Sequence, residues 1–579
     1  MVAGITLRER LKRHPAQNVA MVLIIMVGSL MFVSEVFAKG GTQDVHLELT
    51  VKAGSESAAI WIGLAILFAV YALIITEVVH RTLAASLGGL VAVLALNYFT
   101  EEPTLTLRAV TTMIDWETIG LLLGMMVMVG ILSKTGIFEW FAVEAYKKSN
   151  GSIWTLVVIL CSVTAVLSAF LDNVTTMLLL TPVTIQLAKV LDLKPIPILI
   201  SEVLFSNIGG AATMIGDPPN IMIGSGLSPD AIKAKGYEHL ASSGVTFNDF
   251  ITEMAPGILM TIVPTFMMIR YLYRDEFEGE RLRDVAELES KYGVKDAKLL
   301  KISGLILGAV IIGFFLHPII NISVSWIALL GAVLMLLATD RHDIEETLEK
   351  VEWTTLLFFA GLFVLVHSLQ YLGVINFIGE YVEKAIQFFP NGEGGLVRLS
   401  AAILIILWVS AFASAFIDNI PYTATMIPII LQISHSLSIE LGPLIWALAF
   451  GACLGGNGTL IGASANVVTA GISEEAGYPI SFKEFFRAGF PVMILTTMII
   501  SVYMIAVYVF SADFTFYAKL VLLGITLIGI ILQVARGTSK GKSFSESLVD
   551  DDYDELKEIV LDTIDDVRST IRKKLSEEE

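Results

Sequence analysis

The sequence predicts an all-α polytopic membrane protein built from two inverted repeats, each with a re-entrant helical hairpin and a broken helix, and about 11–12 transmembrane helices in all. Three observations carry this. Hydrophobic residues make up 55% of the 579-residue chain, charged residues only 16%, and the mean hydropathy is +0.75. Many apolar runs reach the roughly 20 residues that a helix needs to cross a hydrocarbon core, where only internally bonded backbone is stable. Finally, one pattern occurs twice. SAFLDNVTTMLLLTPVTIQLAKVL (168–191) and NIGGAATMIGDPPNIMIG (207–224) return as SAFIDNIPYTATMIPII (414–430) and LGGNGTLIGASANVVTAG (454–471), at a constant offset of 246 residues.

The N-terminal segment, 1–57, opens with Arg8, Arg10, Lys12 and Arg13, then an apolar run from Val19 to Val33 and the ending Val36-Phe37-Ala38. It reads as a first membrane helix or as a signal peptide, and either places 39–57 outside. Repeat 1 spans 58–271. Its crossings are expected at 58–79, 83–99 and 114–133, with His80 and Arg81 on the inner link. Lys134, Lys147, Lys148, Lys189 and Lys194 place both ends of 153–191 inside, so that segment enters and returns on one side. Its apolar limbs, 153–171 and 174–191, meet at Asp172-Asn173. A broken helix follows: Ile196–Ile208 is apolar, Gly209–Asn220 is rich in glycine and proline, and the run resumes at Ile221. A span at 250–271 closes the repeat.

Residues 272–301 form a charged cytoplasmic linker. Repeat 2, 302–510, has spans at 302–320, 322–339 and 353–372, a hairpin at 398–437, a broken helix at 443–472 and a span at 485–510. VEWTTLLFFAG at 351–361 matches IDWETIGLLLG at 114–124, and the loop charges start the two helices from opposite sides, which inverts the repeats. An extra span lies within 511–539. The tail, 540–579, spaces Leu556, Val560, Ile564, Val567, Ile571 and Leu575 at helical intervals, which makes an acidic amphipathic cytoplasmic helix. The net charge is −18, of which 541–579 supplies 13 acidic against 6 basic residues; it gives no support to nucleic-acid binding. Cys161 and Cys453 both lie in apolar runs, so no disulfide framework is expected.

Polar groups at membrane depth are costly unless something coordinates them. The hairpin tips and helix breaks concentrate them: Asp172, Asn173, Thr175, Thr176, Thr213, Asp217 and Asn220 in repeat 1, and Asp418, Asn419, Thr423, Asn457, Thr459, Ser464 and Asn466 in repeat 2. Half-helix N-termini favour anions and freed carbonyls favour cations, so all of these are binding candidates, and Asp172, Asn173, Thr213, Asp217, Asn220, Asp418, Asn419, Thr459 and Asn466 are expected to line one small polar cavity near the midplane. Asp172, Asn173, Asp418 and Asn419 are the candidate Na+ ligands. The competing reading is structural, with Asp172 and Asp418 as helix caps and the threonines and asparagines tying down irregular backbone. His367 and His435 read as hydrogen-bonded bundle histidines. An intramembrane aspartyl protease does not fit, because Met214-Ile215-Gly216 before Asp217 lacks the first glycine of GxGD.

At DNVTT, GGAATMIGDPPN, SAFIDNIPYTATMIP and ACLGGNGTLIGASANVV the chain resembles the ion-transporter superfamily of citrate-transporter-like permeases, within it the branch of the pigment-cell P proteins, beside arsenical-pump membrane subunits and NhaD-type antiporters. The resemblance covers about 110–510. It implies an elevator-type secondary transporter, usually a homodimer, with no enzymatic activity and no cofactor beyond a coupling ion, Na+ or H+. Dicarboxylate carriers of the superfamily have Ser-Asn-Thr at each tip where this chain has Asp172-Asn173 and Asp418-Asn419, and an acidic tip repels a dianion. The expected cargo is therefore a small inorganic ion, coupled to Na+ or H+ as the resemblance to arsenite/antimonite and Na+/H+ antiport permeases implies; a Na+-coupled carboxylate or anion symporter, or an anion channel-like permease, is the alternative. The expected setting is a lipid bilayer, a prokaryotic inner membrane, with the C-terminus cytoplasmic.

Overall fold

The computed structural model describes residues 49–76, 78–101, 106–279, 293–339, 344–391 and 395–509. The N-terminal helix or signal peptide, the span within 511–539 and the amphipathic tail lie outside the described residues, as does most of the linker.

Each half of the described chain forms nine principal helices in the same order. In the first they are α1 (Glu56–Thr76), α2 (Arg81–Phe99), α3 (Trp116–Ser133), α4 (Ile137–Ser149), α5 (Ile153–Phe170), α6 (Asn173–Leu191), α7 (Pro195–Gly210), α8 (Pro218–Gly226) and α9 (Phe247–Leu272). In the second they are α10 (Ala297–Ile320), α11 (Val324–Thr339), α12 (Trp353–Tyr371), α13 (Val374–Gln387), α14 (Leu396–Phe416), α15 (Asn419–Leu437), α16 (Leu441–Gly455), α17 (Ser464–Glu475) and α18 (Phe482–Tyr508). Among the described residues ten helices are long and apolar enough to cross a membrane, and α7, α11 and α16 are shorter apolar helices. The short lengths of α7 and α16 follow from the glycines that end them. The amphipathic α4 and α13 occupy segments that read as links in the sequence.

Local chemistry repeats with the sequence. Trp116 donates its indole N–H to the Thr111 carbonyl at 3.1 Å, and Trp353 donates to Leu348 at 3.0 Å. Thr118 donates to Asp115 at 2.9 Å and Thr355 to Glu352 at 2.9 Å. Gly136 and Gly373 open α4 and α13 in the left-handed region, at φ 77° and 81°. Asp192 and Ser438 cap α6 and α15 at φ 55° and 51°. The offset between copies is 237 residues across α3 and α4 and 246 from the hairpins onward, so the second copy carries nine more residues around the α13–α14 connection.

Two pieces of packing position the site. α2 runs alongside α12, with Gly89 against the Gly361 carbonyl and Gly361 against the Ala85-Ser86 backbone, and α3 packs on α11 with Gly124 against Ala328. Small residues permit that approach in lipid, where dispersion and not water exclusion holds helices together. In the other group α7 packs on α5 and α16 on α14, through Gly209 against Ala165 and Gly455 against Ala411. There the repeats interlock: α8 lies on α15, the second hairpin, and α17 lies on α6, the first. α7 and α16 are buried along nearly their whole length, whereas α1 and α10 expose Trp61, Phe68, Ile312 and Ile319.

Candidate functional site

Asp172 and Asp418 each end a hairpin limb and begin the next. Asp172 caps α6: Thr175 donates its backbone N–H at 2.8 Å and its hydroxyl at 2.5 Å to the carboxylate. Asp418 accepts from the Ile420 N–H at 3.0 Å. Such caps contribute about 1 kcal/mol each. The caps turn the following residues, Asn173 and Asn419, toward the helix breaks.

There the two repeats meet. Asn173 Nδ2 donates to Asp217 Oδ1 at 3.2 Å, and Asn419 Nδ2 donates to the same oxygen at 3.4 Å and to Oδ2 at 3.5 Å. Asp217 precedes α8 in the first break and is fully buried. The amides that donate to it are neutral, and among the described residues no ion pair includes it. Asn173 Oδ1 and the Thr176 hydroxyl, both buried, have no hydrogen-bond partner. An uncompensated buried carboxylate beside an open amide oxygen is a set of acceptors suited to a cation or a proton.

Behind it lies a crossed pair of bonds that sequence reasoning missed. Asn207 on α7 donates to Asn457 and Asn466 of the second repeat, both at 2.9 Å, and accepts from Asn173 at 3.1 Å. Cys453, which stands 246 residues after Asn207, donates to Asn220 at 3.3 Å. Equivalent positions thus donate across the repeat boundary to equivalent asparagines. Asn220 and Asn466 also tie their own breaks, to Thr213 and Thr459 carbonyls at 2.9 Å each. The hydroxyls of Thr213 and Thr459 return to the Ala169 and Ala415 carbonyls, and Thr423 returns to the Asn419 carbonyl at 2.8 Å. These three threonines hold backbone locally. Asn207 opens the quoted NIGGAATM motif, and the 246-residue offset pairs it with Cys453; that pairing was the available signal.

Arg81, at the start of α2, also lies outside the sequence-based set. It donates to Ser464 at 2.5 Å, pairs with Asp418 at 3.5 Å, and lies 5.6 Å from the centre of the Phe358 ring. Ser464 also donates to Asp418 at 3.1 Å. Glu352, before α12, is in electrostatic contact with both Asp172 and Arg81. One charged cluster therefore joins α2 and α12 to the tips.

A cavity of about 730 Å³ lies elsewhere, between α3, α8, α12 and α15, and is bordered by none of the sequence-nominated residues. Asp115, Ser225, Lys235 and His367 line it. Ser225 donates to both Asp115 oxygens, at 2.8 and 2.7 Å, and Lys235 donates to the Gly226 carbonyl at 2.5 Å. Burial pushes the Lys235 ammonium down to about 8, against the opposing pull of Asp115. His367 bonds the Phe363 carbonyl and His435 bonds His239, at 3.1 and 3.0 Å.

The family profile described as citrate transporter, CitMHS, matches residues 71–451. The chain belongs to the CitMHS citrate-transporter family. Among its relatives, human P protein is 44% identical over 526 residues, covering 79% of this chain and 61% of that protein. The chain thus spans less than two thirds of the P protein's length. A Mycobacterium tuberculosis protein described as uncharacterized transporter Rv2684 is 39% identical over 446 residues, covering 76% of this chain and 97% of that one. Among solved structures, the YdaH transporter of Alcanivorax borkumensis matches with a TM-score of 0.47 at 14% identity, over 78% of this chain and 97% of that one. Family membership and the ten long apolar helices among the described residues make this chain an integral membrane protein.

Proposed function

We propose that the chain is a secondary active transporter that carries a small inorganic ion by alternating access, in exchange with or driven by Na+ or H+. The observation that carries this reading is Asp217, a fully buried carboxylate held by one asparagine from each hairpin tip, at 3.2 and 3.4 Å. A carboxylate without a counter-charge at that depth takes up a cation or a proton, and release from it is coupled to whatever moves the tips apart. The interlocked α5–α8 and α14–α17 group supplies a body that can shift as one against α2, α3, α11 and α12, an elevator movement with re-entrant hairpins and inverted halves. A homodimer through the fixed group is the arrangement we favour.

One observation favours a second reading, a Na+-coupled carboxylate symporter: Arg81 places a guanidinium at the Asp418 tip, beside Ser464. Reconstituting the full chain in liposomes and scanning sodium, proton, arsenite, chloride and citrate gradients separates the two. Saturable counterflow of a small ion that is lost in Asp217→Asn supports the first reading. Citrate uptake driven by Na+ and lost in Arg81→Ala replaces it with the second. Flux far above about 10³ ions per second points to a channel, since alternating access is limited by microsecond-to-millisecond motions.

A further inference from the structure

Glu202 lies in the middle of α7, is fully buried, and takes no part in the tip cluster. One carboxyl oxygen accepts from the Thr184 hydroxyl on α6 at 3.0 Å; the other, Oε2, has no hydrogen-bond partner. Thr181 stands one turn before Thr184, and its hydroxyl is also buried and unpartnered. Threonines inside helices ordinarily turn their hydroxyl back to the carbonyl four residues earlier, as Thr164 does to Leu160 at 2.8 Å. Thr184 instead faces Glu202. Among the described residues, Cys161 of α5 is the titratable side chain in electrostatic contact with Glu202, and no lysine, arginine or histidine of α5, α6, α9, α16, α17 or α18 pairs with it.

The second repeat supplies an internal control. At the 246-residue offset Glu202 corresponds to Leu448, Thr184 to Ile430, Thr181 to Ile427 and Cys161 to Leu407. All four equivalents are buried aliphatic residues, in helices that pack as their counterparts do. The fold therefore builds this junction without any polar atom. A polar cluster retained in one copy, where packing needs none, is there for something that binds to it. No described pocket adjoins it and its oxygens are few, which suits a proton better than a dehydrated metal ion.

We propose that Glu202 is a proton-binding site inside the first repeat, separate from the tip cluster, and that it gives up and regains its proton during the transport cycle. The O–H bond forms at Oε2 as a hydronium ion gives up its proton and leaves as water; on release the proton passes back to water and the carboxylate remains, with the Thr184 and Thr181 hydroxyls as its donors. The exchange half of this proposal rests on the transport reading above; the binding half does not.

The test uses the full chain in liposomes, with protons as the probe. An infrared titration between about pH 5 and 9 is recorded for wild type and for Glu202→Gln. The expected difference spectrum contains a protonated-carboxyl C=O band that shifts in D2O. Its absence at every pH overturns the proposal. A Glu202→Leu/Thr184→Ile double variant installs the pair that the second repeat already packs, so it is expected to fold and melt no lower than wild type. In it, proton flux per transported ion should fall by about one, one carboxyl holding one proton. An unchanged ratio overturns the exchange role. If the wild type moves none of the ions scanned, the transport reading fails; the infrared titration then decides alone, a titrating band upholding proton binding and a missing band overturning it.

Discussion

Asp217 of the first repeat and Asn419 of the second are joined by a bifurcated contact, 3.4 Å to one carboxylate oxygen and 3.5 Å to the other. Asn173 reaches the first of those oxygens from the opposite hairpin. A single side chain thus reads the position of both tips. Asp217→Asn keeps the volume and an acceptor while removing the charge, so the protein is expected to fold and its coupled flux to drop by about tenfold or more, one such factor for each 1.4 kcal/mol of lost ion binding. Asp217→Ala leaves two buried amides short of an acceptor, at about 1–3 kcal/mol each, and its melting temperature should fall as well. Proteoliposome flux and thermal unfolding of both variants check this; full flux in Asp217→Asn removes the residue from ion handling.

Gly209 and Gly455 occupy equivalent places against the Ala165 and Ala411 backbones. A methyl group at either would meet a carbonyl that cannot swing aside as a side chain can. Gly209→Ala and Gly455→Ala should each destabilise, by about 1–3 kcal/mol, and by similar amounts. Thermal unfolding in detergent measures it. A neutral effect in one copy alone would mean that the two α5–α7 and α14–α16 contacts are not built alike.

Lys235 gives a pH dependence with a defined sign. Its folded value is depressed from 10.5 to about 8, so the unfolded chain holds more protons between those two values. Stability must then rise with pH across that window, the cost of keeping the ammonium charged being fully present below about 8. Melting temperature between pH 8 and 10.5 is expected to climb less in Lys235→Met than in wild type. Parallel curves for the two proteins would remove burial as the cause.

Much of this architecture can be read from the chain because the duplication is explicit. Asp172 with Asp418, Thr213 with Thr459 and Asn220 with Asn466 fall at one offset; in the structure the threonine and asparagine pairs make the same bonds in both copies, and both aspartates cap the second hairpin limb, Asp172 with Thr175 as side-chain partner and Asp418 with Ser464 and Arg81. Arg81 was harder to see. A basic residue next to an apolar run marks the inner side of a membrane, and nothing local says that it faces an aspartate 337 positions away. Asn207 and Cys453 were hidden for a different reason: a lone amide or thiol within an apolar helix announces nothing until its partner on another helix is known. The amphipathic α4 and α13 lack the length of a crossing, and so read as links.

The ion pair between Arg81 and Asp418 joins a helix of the α2–α12 group to the head of α15. While they are together the two charges cancel locally; in the movement proposed above, a hairpin that left Arg81 behind would travel with a bare carboxylate unless it picked up a cation or a proton. Across an energised bilayer, each uncompensated charge that moves through the field is worth about 2.3 kcal/mol per 100 mV. Membrane voltage would then weigh on which arrangement the protein occupies, and on which ion it must load before the hairpin can leave.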